Sequence, residues 1–108
     1  MLNLIKIRGV SPSGKWIYSF IDDNIHIHNQ KIIATTLSQF TGFNDSKDND
    51  IYEADILQNN NGTYIVIWNI DTANFQLKDK SNHHLLPLNK RTAKEYTIIG
   101  SLYDKYLQ

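Results

Sequence analysis

The sequence predicts a mainly β fold: a small barrel-like or sandwich domain of short antiparallel strands, with room for one short helix. Three observations lead there. Apolar and polar residues alternate with period two in many short runs. Those runs are separated by Asn, Asp, Ser and Gly clusters that favour turns. Isoleucine is frequent and alanine scarce, which suits pleated strands better than helices. At 108 residues the chain is read as a single domain over 1–108 with one core.

Taken in order, Leu4 to Arg8 alternates, with Ile5 and Ile7 on one side and Lys6 and Arg8 on the other. Ser11-Pro12-Ser13-Gly14 is turn chemistry, with Pro fixing φ early and Gly accepting positive φ late. Trp16, Tyr18 and Phe20 then share one face of a second strand, completing a hairpin. Asp22-Asp23-Asn24 turns the chain into Ile25-His26-Ile27-His28, a further alternating strand. Lys31 to Gln39 is open to a helix, although its β-branched residues and missing caps speak against one.

The centre of the chain is Gln39 to Leu57, QFTGFNDSKDNDIYEADIL, read as strand, long polar turn and strand. The turn residues are too polar to join a core. Asn59-Asn60-Asn61-Gly62 predicts a type I′ hairpin, because Asn and Gly both tolerate positive φ. Thr63 to Trp68 is apolar on both faces, which predicts a central strand, a barrel wall or an interface. Phe75 to Lys78 follows as a strand with Phe75 and Leu77 inward. The segment around Leu85 to Leu88 carries Pro87, so it belongs on an edge. Asn89 to Lys94 reads as a basic loop, and Tyr96 to Ile99 as a last strand ended by Gly100. Leu102, Tyr103, Tyr106 and Leu107 have the spacing of a helical turn or a docked tail.

Composition excludes several classes of function. There is no cysteine, hence no disulfide, no thiolate nucleophile and no Cys-ligated zinc. Eleven basic and eleven acidic residues cancel, so no overall field draws the chain to nucleic acid or to an anionic surface. No apolar run is long enough to span a bilayer as a helix. A Gly-x-Ser-x-Gly elbow and a glycine-rich phosphate loop are both missing.

Candidate sites remain, each beside a structural alternative. Glu53 and Asp55 lie two apart on a presumed strand and, with Asp50, form an acidic trio for a cation or acid–base work. The alternative is that Asp55 accepts backbone N–H bonds at a turn, and this is the reading adopted. His26 and His28, with His83 and His84, have ligand-type spacing, but an exposed polar face explains them as well. No metal and no cofactor is assigned. Trp16, Tyr18, Tyr52 and Trp68, with Lys90, Arg91 and Lys94, are the candidate ligand- or partner-binding residues. Rings suit base stacking or protein hot spots, and cations suit phosphate.

Residues QFTGF, the Asp-rich turn and IYEADIL together resemble the signature of the YopX family of phage and prophage proteins. The resemblance is carried by Gln39, Thr41, Gly42, Ile51, Tyr52, Glu53 and Asp55. IKIRG with GKWIYSF, YIVIWN with NFQL, and YTIIGSLYDKYL resemble its flanking segments. Departures are Ala54 and Phe43, where the family has Gly and Leu, Ser101 for Asn, and a turn from Asp45 to Asp50 without glycine. The resemblance implies a phage or prophage accessory protein in the cytoplasm of a bacterial host, and it supplies no catalytic residue. The resulting expectation is a non-enzymatic module that binds a host or phage protein, with a counter-defence use. Sequestration of a nucleotide or signalling molecule ranks second and nucleic-acid binding through a small barrel third. No membrane partner is expected, and the two-faced strand leaves homo-oligomerisation open.

Overall fold

The computed structural model describes residues 5–21 and 31–108 of the chain, so the predicted turn and histidine strand over 22–28 lie outside the described residues. The chain divides into two compact units, Met1–Phe40 with Tyr103–Gln108, and Thr41–Leu102. The fold is mainly β and antiparallel, as its alternating pattern predicts.

In the first unit, β1 (Ile5–Val10) and β2 (Trp16–Ile21) form the predicted hairpin. Their register pairs Lys6 with Phe20, Arg8 with Tyr18 and Val10 with Trp16. The turn between them closes through Gly14 N–H to the Ser11 carbonyl, 2.9 Å, with Gly14 at φ +85°. On the other side of β1, Ile7 and Arg8 pair with Gln39 and Ser38 at the start of β3 (Ser38–Asn44). Among the described residues ahead of β3, the chain forms a 3₁₀ turn at Ala34–Thr36, not the helix that Lys31 to Gln39 left open. Its β-branched residues favour extended backbone on either side of that single turn. Thr36, wholly buried, ties this turn to β1. Its hydroxyl donates to the Ile33 carbonyl at 2.6 Å and accepts the Val10 N–H at 2.8 Å. The C-terminal residues make a second 3₁₀ turn at Asp104–Tyr106, and the last N–H, of Gln108, returns to the Gly14 carbonyl at 3.0 Å.

The second unit takes the rest of β3, then β4 (Asp50–Tyr52) beside it, and an open five-stranded sheet. That sheet runs β8-β7-β6-β5-β9. Its strands are β5 (Asp55–Asn59), β6 (Gly62–Asn69), β7 (Asn74–Asp79), β8 (Leu85–Pro87) and β9 (Thr97–Ser101). β8 and β9 are its outer strands, so these five strands do not close into a barrel. The proline-bearing β8 sits at an edge, where its missing N–H breaks no ladder. β6 is the central strand, which accounts for its two apolar faces.

One face of the sheet carries the core. Leu57, Tyr64, Val66 and Leu77 are buried there, joined by Ile51, Leu88, Ala93 and Tyr96. Leu57 pairs across β5 and β6 with Tyr64, and Val66 across β6 and β7 with Leu77, so the register stacks the inward side chains in rows. Burying a leucine this fully is worth about 2–3 kcal/mol. Tyr64 and Tyr96 meet edge to face at 5.3 Å, the arrangement that ring quadrupoles favour.

Three local expectations need correction. The β5–β6 hairpin forms, but Asn60 and Asn61 are its two loop residues and neither has positive φ, so the turn is not type I′. The Asn59 side chain takes over instead, accepting N–H bonds from Asn61 at 2.9 Å and Gly62 at 3.2 Å. The segment read as a basic loop holds the short helix α1 (Lys90–Ala93), started by a capping box between Asn89 and Thr92. β9 runs through Gly100 to Ser101. A bulge opposite Ile56 and Leu57 absorbs Ile99, so pairing resumes beyond it.

Gly14 gives the first test. A Cβ there would lie 2.7 Å from the Gln108 backbone nitrogen, and φ +85° is unfavourable for any side chain. Gly14→Ala is therefore expected to lower unfolding free energy by at least about 1–2 kcal/mol, read by urea denaturation.

Candidate functional site

The Gln39–Leu57 signature is built from three backbone devices. The first is a kink in β3. Gly42 sits at φ +91° with open space where a Cβ would be, so the glycine serves conformation and not clearance. The Thr41 hydroxyl braces the kink, donating to the Ile51 carbonyl at 2.8 Å and accepting the Phe43 N–H at 3.1 Å.

The second device is the Asp45 loop. These turn residues are polar enough to predict a solvated loop, yet Asp45 is 0% exposed. Its Oδ1 accepts N–H bonds from Lys47 and Asn49, both 2.9 Å, and Oδ2 accepts from Ile98 on β9 at 2.9 Å. A carboxylate can be buried when charge-assisted hydrogen bonds replace its water. Asp48 takes φ +66°, the left-handed conformation that a glycine would otherwise supply. Ser46 adds a backbone bond to the Tyr96 carbonyl, 2.8 Å, and a hydroxyl contact with Thr97, 2.7 Å.

The third device is a corner. IYEADIL is not one strand: Glu53 and Ala54 form a turn between β4 and β5. Asp55, 1% exposed, reaches back across it to accept the Tyr52 N–H at 2.8 Å. Glu53 and Asp55 therefore do not share a strand face, and the acidic trio loses its geometry. Ala54 has φ +71°, which explains the resemblance to a glycine position better than close backbone approach does. Its N–H bonds to Val66 and its carbonyl accepts from Leu102, both 2.9 Å, which hold the strained residue in place.

The other candidate residues are distributed. Trp16 is half-buried and Tyr18 exposed, both on β2. Tyr52 is buried, at 4% exposure, and faces the interior. Trp68 is 46% exposed and meets Phe75 edge to face at 4.9 Å. Lys90 and Arg91 are exposed on α1. Lys94 is drawn away from them to pair with Asp48 at 2.9 Å. Gln39 is exposed, on the face of β3 opposite Ser38. His83 and His84 are exposed at the tip between β7 and β8. Among the described residues no three histidine, aspartate or glutamate side chains are grouped to hold a metal.

An open cleft of about 460 Å³ lies where the β5–β6 and β7–β8 turns meet. Asn61, Gly62, Thr63, Asp79, Lys80 and Ser81 line it. Asp79 is committed to its own turn. Bonds from the Ser81 hydroxyl and N–H, at 2.7 and 2.8 Å, hold its carboxyl below the usual carboxylate range. The hydrogen bond and charge of Lys94 likewise lower Asp48. Burial raises the Tyr96 phenol, with Tyr64 and Glu95 adding to the effect.

Sequence reasoning did not single out Lys6, Ile70 and Phe75 as surface chemistry. The alternation that places Lys6 and Phe20 on strands was visible, but the register that pairs them was not. For Ile70 no sequence signal separates it from the core isoleucines.

These features define a small, mainly β protein whose signature residues are spent on turns and a buried carboxylate. The chain belongs to the YopX family: the family's sequence model, described as YopX protein, matches residues 3–106. No curated protein matches the chain. No helix among the described residues is long and apolar enough to cross a membrane.

Two measurements follow. Asp45→Ala strands three N–H groups and is expected to cost about 2–4 kcal/mol, while Ala54→Gly relieves left-handed strain and gains about 1 kcal/mol. Equilibrium denaturation should show shifts of opposite sign. Tyr96 has a raised folded value, so its contribution is complete below the unfolded phenol value near 10 and is lost as pH rises through the folded one. Stability should fall above about pH 10, and Tyr96→Phe should flatten that slope in urea midpoints measured against pH.

Proposed function

We propose that the chain is a phage-type accessory protein that works without catalysis, binding a host or phage protein through the end of the β6–β7 hairpin. Family membership supports the phage-type setting. The observation that carries the docking site is the exposure of Trp68 and Ile70. Tyr64, Val66 and Trp68 lie in one inward row of β6, and the row emerges into solvent at Trp68, which is 46% exposed. Ile70, two residues on, is 81% exposed, the highest value among the large apolar side chains of the described residues.

Exposed isoleucine and tryptophan two residues apart cost solvation that a partner would recover. Phe75 holds the indole edge-on, and a ring already fixed loses little entropy on binding. Tryptophan anchors of this kind dominate protein interfaces. The absence of a nucleophile–base pair among the motif residues supports a binding role, since Thr41, Asp45 and Asp55 all serve backbone groups. Interference with a host defence system is a use that suits such a module.

A photo-crosslinking residue in place of Ile70, in the full chain expressed in a bacterial host, is expected to trap one protein. The adduct should disappear with Trp68→Ala, which removes an anchor worth about 2 kcal/mol or more. Equal labelling from a crosslinker at exposed Asn60 would sink the reading.

A further inference from the structure

We propose that Asn61 is a covalent modification site, deamidated through attack by the Gly62 peptide nitrogen with water as the co-reactant. Two conditions select it. The attacking nitrogen must be unshielded, and glycine is the residue that brings no Cβ to it. Asn61 is the one asparagine of the sequence that glycine follows. The asparagine side chain must also be free to swing, and here the structure discriminates. Asn44, Asn59, Asn69, Asn74, Asn82 and Asn89 hold their side-chain amides in hydrogen bonds of 2.6 to 3.2 Å. Asn61 is exposed in the two-residue loop between β5 and β6. The bonds that shape this loop engage the Asn59 side chain and the Asn61 main chain, not the Asn61 side chain.

The reaction balances as a hydrolysis. The Gly62 nitrogen gives its proton to hydroxide and bonds to the side-chain carbonyl carbon of Asn61. The bond from that carbon to Nδ2 breaks, and ammonia leaves with a proton from water. A succinimide ring remains, and water opens it at either carbonyl. One opening restores the backbone with an aspartate at position 61. The other leaves isoaspartate, whose main chain runs through the former side chain. In sum one water is consumed, one ammonia is released and one carboxylate is gained.

The fold governs the rate through Asn59. Its Oδ1 accepts the Gly62 N–H at 3.2 Å, the long end of the range for such bonds. That bond holds the proton the reaction must remove, so it slows the step without preventing it. A hydrogen bond of ordinary net strength accounts for about fivefold in rate. The product acts on the same neighbourhood. Asn61 lines the open cleft, where Asp79 and Lys80 are the one carboxylate and the one ammonium, and a second carboxylate tips that balance to the acidic side. Isoaspartate adds a main-chain carbon to a loop of two residues and works against the pairing of Asn59 with Gly62. The adjoining Thr63 carbonyl accepts the Lys80 N–H at 3.0 Å, so slack in the hairpin end reaches the β7–β8 turn. Trp68 stands towards the other end of β6, and the site does not rest on the docking proposed there.

The test is peptide mapping by mass spectrometry of the full chain after incubation at neutral and at mildly alkaline pH. Labelling by an isoaspartyl methyltransferase supplies an independent readout. Expected is a product confined to position 61, with NH₂ exchanged for OH, that accumulates faster at the higher pH and takes the methyl label. Gly62→Ala should lose most of the product by shielding the nitrogen. The fold accepts this change, since the added Cβ would meet the Tyr64 hydroxyl at 3.4 Å, an ordinary contact. Asn61→Gln should lose the product altogether, because the larger ring closes far more slowly. Asn59→Ala should raise the rate about fivefold. Circular dichroism identifies any variant that fails to fold, and the map of the unsubstituted protein then decides alone. An unmodified position 61, product spread evenly over Asn59, Asn60 and Asn61, or an unchanged rate in Gly62→Ala would each overturn the proposal. A folded Asn59→Ala with an unchanged rate would overturn the part assigned to Asn59.

Discussion

The Asp45 carboxylate is the constraint on which the second unit depends. It is fully buried, and its oxygens accept three N–H bonds, two within its own loop and one from Ile98 on β9. One side chain thus shapes the long turn after β3 and fastens it to the outer strand of the five-stranded sheet. Lys94 closes the same arrangement from the other direction, its ammonium meeting Asp48 at 2.9 Å and the Asp45 carbonyl at 3.4 Å. The exposed ion pair adds little by itself. The buried carboxylate adds more, because desolvated N–H groups have no substitute acceptor.

Around that anchor the chain accepts local strain where its direction must change. Asp48 and Ala54 both occupy left-handed backbone without being glycine. Asp48 is eased by its polar side chain, and Ala54 by strand bonds on both sides of its peptide. The family signature is therefore a recipe for a kink, a loop and a corner. Such a recipe specifies architecture, and it commits Thr41, Asp45 and Asp55 to backbone groups.

Much of the fold was legible in the residues. The first hairpin, its Gly14 turn, the central β6, the edge position of Pro87 and the inward Leu77 all follow from alternation and turn chemistry. Corrections arose where side chains replaced backbone preferences. Asn59 supplies the acceptor for its own hairpin, so Asn60 and Asn61 need no positive φ. The Asn89–Thr92 capping box sustains a helical turn too short to show a hydrophobic period. The candidate site was less legible. Tyr52 and Tyr18 look alike in sequence, yet one is 4% and the other 59% exposed.

The residues alone determined the class of fold, the absence of thiol chemistry and the family, because alternation, turn formers and a signature are local properties. Tertiary structure alone decided that Asp45 is interior, that Glu53 and Asp55 sit around a corner, and that Lys6 and Arg8 face Phe20 and Tyr18. Each of those outcomes depends on register or on a partner distant in sequence, and a linear pattern holds neither.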